Sequence, residues 1–163
     1  MKKVLLLFVF IFTLISCSSD DAPVLGCTDP NSINYNPDAT ENDNNCQYSI
    51  IGDWRITKYT LGSTNILNGY TSLNMSIYSN GTTRLEGVTS SAAAVGAGFT
   101  IVVNGTYIIS GSNNNIITLT NTDPGTADIP STVWTFKSIT GTTFSITSDD
   151  VGGNSATIDG IKI

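Results

Sequence analysis

From residue 49 to the C-terminus, the chain is written in short runs whose apolar side chains take every second place, with turn residues between them. Leu73-Asn74-Met75-Ser76-Ile77, Trp134-Thr135-Phe136 and Phe144-Ser145-Ile146 are examples. Successive side chains of an extended strand point to opposite faces, so each run reads as a strand buried on one side only. The pattern predicts eight strands, at 50–60, 71–79, 82–88, 99–109, 115–120, 132–138, 142–148 and 155–163. No amphipathic helix is written anywhere in this stretch, and Ser91 to Val95 offers at most one helical turn. The gaps between these strands run ten, two, ten, five, eleven, three and six residues. In an up-and-down meander, odd connections lie at one end and even ones at the other. One end is therefore tight, and the other is a rim of long loops built from Leu61 to Tyr70, Thr89 to Gly98, Asn121 to Ser131 and Asp149 to Asn154. Asn80-Gly81 fills the shortest gap and predicts a type I′ turn, with positive φ at both residues.

Eight antiparallel strands must either close on themselves or leave two pairing-competent edges. The expected fold is all-β, an eight-stranded antiparallel up-and-down barrel with Ile158 to Ile163 hydrogen-bonded beside Ile51 to Thr57. The alternative is a two-sheet β-sandwich. Gly52-Asp53-Trp54 resembles the Gly-x-Trp of the lipocalin superfamily. With Ser79-Asn80-Gly81-Thr82, Gly105-Thr106-Tyr107 leading into Ile116 to Thr120, and Trp134, the whole of 49–163 resembles the small bacterial lipocalin-like lipoprotein domains. The resemblance implies that Gly52 and Trp54 close one end of the barrel. It departs from the pattern in lacking an arginine near the last strand to stack on Trp54.

The N-terminus supplies an address. Lys2-Lys3 precedes twelve uncharged apolar residues, Val4 to Ile15, too few to cross a hydrocarbon layer of about 30 Å as a helix. Residues 1–16 thus read as a signal peptide. Leu14-Ile15-Ser16-Cys17 resembles the lipobox of bacterial lipoproteins, which implies that Cys17 is acylated and becomes the first mature residue. One acyl chain binds a membrane only marginally, whereas several hold a protein almost permanently. Ser18-Ser19-Asp20-Asp21 resembles the acidic export signal of surface lipoproteins in Bacteroidetes-type bacteria. The expected location is the outer membrane, lipid-anchored and cell-surface exposed. If the acidic stretch is only a solvated spacer, the periplasmic face is the alternative.

Losing Lys2 and Lys3 leaves five of the seven basic residues against thirteen acidic ones, a net charge of -8. Six acids and no bases fall in 17–48, and seven acids with five bases in 49–163, so a polyanionic leader precedes a nearly balanced domain. Residues 17–25 read as an acidic tether and 26–48 as a separate module. With Cys17 consumed by lipidation, Cys27 and Cys46 are an even pair in an oxidising compartment, which predicts a disulfide. The segment from Gly26 to Tyr48 is dense in Asn, Asp and Pro and shows no periodicity. It resembles the Gly-Cys-Thr-Asp module of Bacteroidetes surface proteins through Gly26, Cys27, Thr28, Asp29, Asn34, Tyr35, Asn36, Ala39, Cys46 and Tyr48. Two readings stand for it. One is a disulfide-stapled spacer, and the other is a calcium site using oxygens of Asp29, Asn31, Asn36, Asp38, Asp43 and Asn45, although the EF-hand spacing is absent.

These residues bound the function. The chain has no histidine, no thiol left once the three cysteines are assigned, and no glycine-rich phosphate loop between strand and helix. Zinc and serine-triad chemistry lack their usual participants, and no basic patch suits nucleic acid. The expectation is a non-catalytic protein with no cofactor besides the calcium alternative. Its barrel mouth would bind a small apolar or glycan-like ligand through Tyr70, Trp134, Phe136 and Phe144, unless these rings are ordinary core. The second expectation is an accessory protein with a filled barrel that presents its loops to another surface protein. Asp123, Asp128, Asp149 and Asp150 lie on the loop rim and would draw a cation or basic partner, or simply be solvated.

Overall fold

A computed structural model describes residues 22–111, 114–123, 132–149 and 155–163. Residues 1–16, read above as a signal peptide, and Cys17 lie outside the described residues, as do Asp128 and Asp150, and the Asp149 side chain is likewise not described. The N-terminal module contributes β1 (Leu25–Gly26) and β2 (Glu41–Asn42), which pair in parallel. The remaining strands are β3 (Gly52–Leu61), β4 (Thr64–Asn65), β5 (Tyr70–Ile77), β6 (Thr82–Thr89), β7 (Thr100–Ser110), β8 (Ile116–Asn121), β9 (Thr132–Ile139), β10 (Thr143–Asp149) and β11 (Ser155–Lys162).

Strands β3, β5, β6, β7, β8, β9, β10 and β11 follow one another antiparallel around a sheet, and β11 then pairs back onto β3. That last pairing runs from Ala156 beside Leu61 to Lys162 beside Trp54, with a bulge at Asp159–Gly160. The fold is therefore a closed eight-stranded antiparallel β-barrel, and the sandwich alternative falls because no edge is left between β11 and β3. A ninth strand, β4, pairs with the end of β3 and was not written in the hydrophobic pattern. It exists because β3 and β5 pair only over Gly52–Arg55 and Ile77–Asn74. Beyond that point β4 and a 3-10 turn, Ile66–Gly69, occupy the first long connection.

The poles are arranged as the connection lengths require. Residues 78–81, 111–115 and 140–142 join strands at the end where β3 begins and β11 finishes, and the long connections lie at the other. The β5–β6 turn is not type I′, since Gly81 has φ 86° while Asn80 does not share a positive φ. Gly81 N–H donates to Tyr78 O at 3.1 Å, and Tyr78 N–H to Thr82 O at 2.9 Å. This is a type I turn closed by a left-handed glycine. The Asn80 carboxamide takes another role, accepting from the Thr82 N–H and hydroxyl.

Inward positions alternate as predicted. Trp54 and Ile56 of β3, Leu73, Met75 and Ile77 of β5, Phe144 and Ile146 of β10, and Ala156 and Ile158 of β11 are buried in one core with Ile117 and Trp134.

Candidate functional site

The tight pole is shut by an indole. Trp54 is fully buried, donates its Nε1–H to Ile50 O at 2.7 Å, and meets Phe144 edge to face with centroids 5.0 Å apart. Gly52 and Trp54, expected to close one end of the barrel, both stand at this pole. Lys162 Nζ of the last strand lies 5.4 Å from the Trp54 ring centroid, within cation–π range. Gly52 makes room for it. A Cβ there would stand 2.9 Å from Lys162 Cε, and φ is +141°.

Farther toward the long loops the barrel is hollow, with an interior cavity of about 150 Å³. Ile56, Leu73, Met75, Leu85, Leu119 and Ile158 give it apolar walls, while Tyr59, Thr120, Asn121 and Thr132 bring polar groups at the strand ends nearer the long connections. No charged side chain among the described residues lines it. Trp134 stands in its wall, and the buried indole N–H of that residue has no hydrogen-bond partner among the described residues.

The four aromatic rings assigned to the ligand do not converge. Trp134 lines the cavity, but Phe144 belongs to the closed pole with Trp54. Phe136 faces a separate cleft of about 520 Å³, shared with Ile33, Tyr48 and Ile50, where the module meets the tight pole. Tyr70 fills the hollow above Gly87, where a Cβ would come within 2.7 Å of its ring. Alternation identified inward residues but not their height along the barrel, and height decides which of them reach the cavity. The aliphatic walls and Tyr59 were missed for the same reason. The only signal for them was their place in the period-two register.

At the long-loop pole, the Asp123 carboxylate accepts from the Asn104 backbone N–H at 2.7 Å and from its side-chain Nδ2 at 3.1 Å. These donors hold its pKa below the ordinary carboxylate value. This geometry ties the connection after β8 to the middle of β7.

In the module, Cys27 and Cys46 form a disulfide with Cα atoms 4.9 Å apart. Tyr48 Oη donates to Asp29 Oδ2 at 2.7 Å, and Asp29 Oδ1 accepts from the Asn31 N–H at 2.8 Å. The Tyr48 bond chiefly, and the Asn31 bond after it, lower the Asp29 pKa, and the same contact raises that of Tyr48. Asn36 Oδ1 accepts from the Asp38 N–H, and Asp43 Oδ1 from the Asn45 N–H. Side-chain oxygens of Asp29, Asn36 and Asp43, three of the six residues considered for calcium, are thus engaged in local turns. Among the described residues no three His, Cys, Asp or Glu side chains gather around one point. The Asn31 side chain packs on Gly141 in the β9–β10 turn, which sets the module against the tight pole.

No protein-family model matches the chain, and no curated protein matches it either.

Proposed function

We propose that this protein is a non-catalytic, lipid-anchored surface lipoprotein that binds a small apolar molecule inside its barrel. The observation that carries this reading is the interior cavity of about 150 Å³ between the indole floor and the long-loop pole, lined by no charged side chain among the described residues. A barrel that served only to display loops has no need of a hollow, since protein interiors otherwise pack with few voids larger than water. Apolar walls favour an apolar guest over a glycan, whose many hydroxyls would each need a partner on leaving water. The anchor reading rests on the likeness of Leu14-Ile15-Ser16-Cys17 to a lipobox, and the acidic Ser18-Ser19-Asp20-Asp21 supports an outer-membrane, surface location. Native mass spectrometry of protein purified from its own cells tests the binding reading. A co-isolated small molecule lost on Leu119→Trp, which fills the cavity, supports it, and a ligand-free spectrum under gentle conditions argues against it. Intact mass and detergent partitioning of the wild type against Cys17→Ser test the anchor.

A second reading is favoured by Val95 and Phe99, about three-fifths exposed in the connection between β6 and β7. Apolar side chains held out on the rim suit a protein partner at the outer surface, and a pull-down compared with Val95→Ser/Phe99→Ser tests it.

A further inference from the structure

The floor of the barrel carries a surface that neither the cavity nor the long-loop rim accounts for. Ile33 of the module, Ile51 just ahead of β3, Tyr78 in the β5–β6 turn and Ile163 just past β11 are each at least 40% exposed. Four separate stretches of chain bring these side chains to one pole. Ile33 and Ile51 wall the same cleft, Ile51 and Tyr78 share the next hollow with Gly52 and Asp53, and the Ile163 N–H donates to Asp53 O at 3.0 Å. Exposed apolar side chains gathered in this way mark a binding surface, whereas scattered ones need no explanation. The tether decides what meets this surface, on the anchor reading given above. Cys17 stands five steps, at most about 18 Å, from Ala22, and the Val24 N–H is tied to the module by the Thr40 hydroxyl at 3.0 Å. Acyl chains rooted there hold the module, and with it the pole on which Asn31 packs, beside lipid at high effective concentration.

We infer that the tight pole is a membrane-docking face, with Ile33, Ile51 and Ile163 entering the acyl boundary of the bilayer and the amphipathic Tyr78 ring lying at headgroup level. Charge contributes little to the contact. Lys137 and Lys162 stand at this pole together with Asp29 and Asp53, and the acidic mature chain is repelled by anionic lipid. The docking is therefore apolar. It holds the barrel upright, where the lipid anchor alone would leave it to swing about its tether.

The test takes the mature chain carrying Cys17→Ser, which removes the acyl chains and leaves the surface, and floats it with phosphatidylcholine vesicles. The chain should partition onto lipid in the millimolar range. Adding Ile33→Ser/Ile51→Ser/Ile163→Ser should weaken partitioning at least about tenfold, roughly what burying one such side chain contributes. Val95→Ser/Phe99→Ser at the opposite pole should change it less than about twofold, and phosphatidylglycerol should not strengthen it. Should circular dichroism show the triple variant unfolded, Ile163→Ser alone, beyond the last strand, carries the comparison with a several-fold loss. A Cys17→Ser chain that stays off the vesicles overturns the inference, as does equal partitioning of the triple variant or partitioning that needs anionic lipid. Sedimentation velocity covers another occupant: a dimer that the triple variant loses, with no lipid binding, assigns the face to a second copy and overturns the inference too. The anchor reading stands or falls separately on the intact mass of the wild type. An acylated Cys17 beside an unbound Cys17→Ser chain removes the docking face alone, and a Cys17 without acyl mass removes the anchor while flotation still decides whether this pole meets lipid.

Discussion

Single residues at the tight pole have roles that depend on one another. Gly52 is tolerated where φ is +141° because it has no Cβ, and the space it leaves is taken by the Lys162 stem that carries Nζ to the Trp54 face. Gly52→Ala should therefore cost backbone strain of about 1–3 kcal/mol and displace the lysine. Lys162→Ala should cost about 0.5–1 kcal/mol, the range for an exposed cation over an aromatic ring, and Lys162→Arg should keep most of it. Urea unfolding of the two single variants and the double variant checks this. The double should lose less than the singles add up to, because a lysine already removed cannot be displaced. Asp29 and Tyr48 make a second linked pair, readable by pH. The folded pKa of Asp29 is depressed, so its contribution to stability is present above the unfolded carboxylate value of about 4 and fades as pH falls through the lower folded value. The folded pKa of Tyr48 is raised, so its contribution is complete below the unfolded phenol value of about 10 and is lost as pH rises through the folded one. Amide-exchange protection of the module should show both limbs in the wild type. In Tyr48→Phe the alkaline limb should vanish and the acid limb should shrink, since only the Asn31 donors remain.

At the level of strands and turns, two glycines act as sockets. Gly87 of β6 receives the Tyr70 ring and Gly160 of β11 receives the Phe144 ring, each in contact too close for a Cβ. Gly160→Ala should push Phe144 off the Trp54 edge and destabilise the barrel by about 1–3 kcal/mol, with a change in near-ultraviolet circular dichroism from Trp54 that a surface glycine substitution such as Gly98→Ala does not produce. Such sockets explain where reading the sequence succeeds and where it stops. Alternation is local, so all eight barrel strands were legible with ends within two residues of those observed. Closure was legible through the cost of unpaired edges. Register is not local: whether Lys162 lies beside Trp54, or whether Phe144 rather than Trp134 meets the floor, depends on the stagger accumulated around eight strands and on the bulge at Asp159–Gly160. For that reason Lys162 was not read as a cation over the Trp54 ring. The ring set assigned to the ligand likewise split between floor, socket, cleft and cavity. The β4 strand and the 3-10 turn follow from where β3 and β5 part, which no run of residues announces.

Across the whole molecule, the order of parts along the chain implies an orientation. Only the four residues 18–21 separate Cys17 from Ala22, the nearest described residue, and the five steps between them cover no more than about 3.6 Å each, or roughly 18 Å in all. The module that follows packs through Asn31 on Gly141 at the tight pole, and β3 enters the barrel at that pole. The ten residues of β3 then rise about 3.3 Å each, less the strand tilt, before the first long connection. If Cys17 carries the acyl chains, the tight pole therefore lies toward the bilayer and the cavity end away from it. The prediction is positional. Ser79 in the β5–β6 turn and Ser91 in the β6–β7 connection are both exposed and stand at opposite poles, so each can be changed to cysteine and labelled with the same fluorophore. With the protein in vesicles bearing a headgroup quencher, the label at Ser79 should be quenched several-fold more than that at Ser91, and Cys17→Ser should abolish quenching at both. Equal quenching would mean that the barrel lies on its side or that the tether lets it tumble. Stronger quenching at Ser91 would turn the mouth toward the lipid, so that the cavity opens to guests arriving from the membrane and not from the medium.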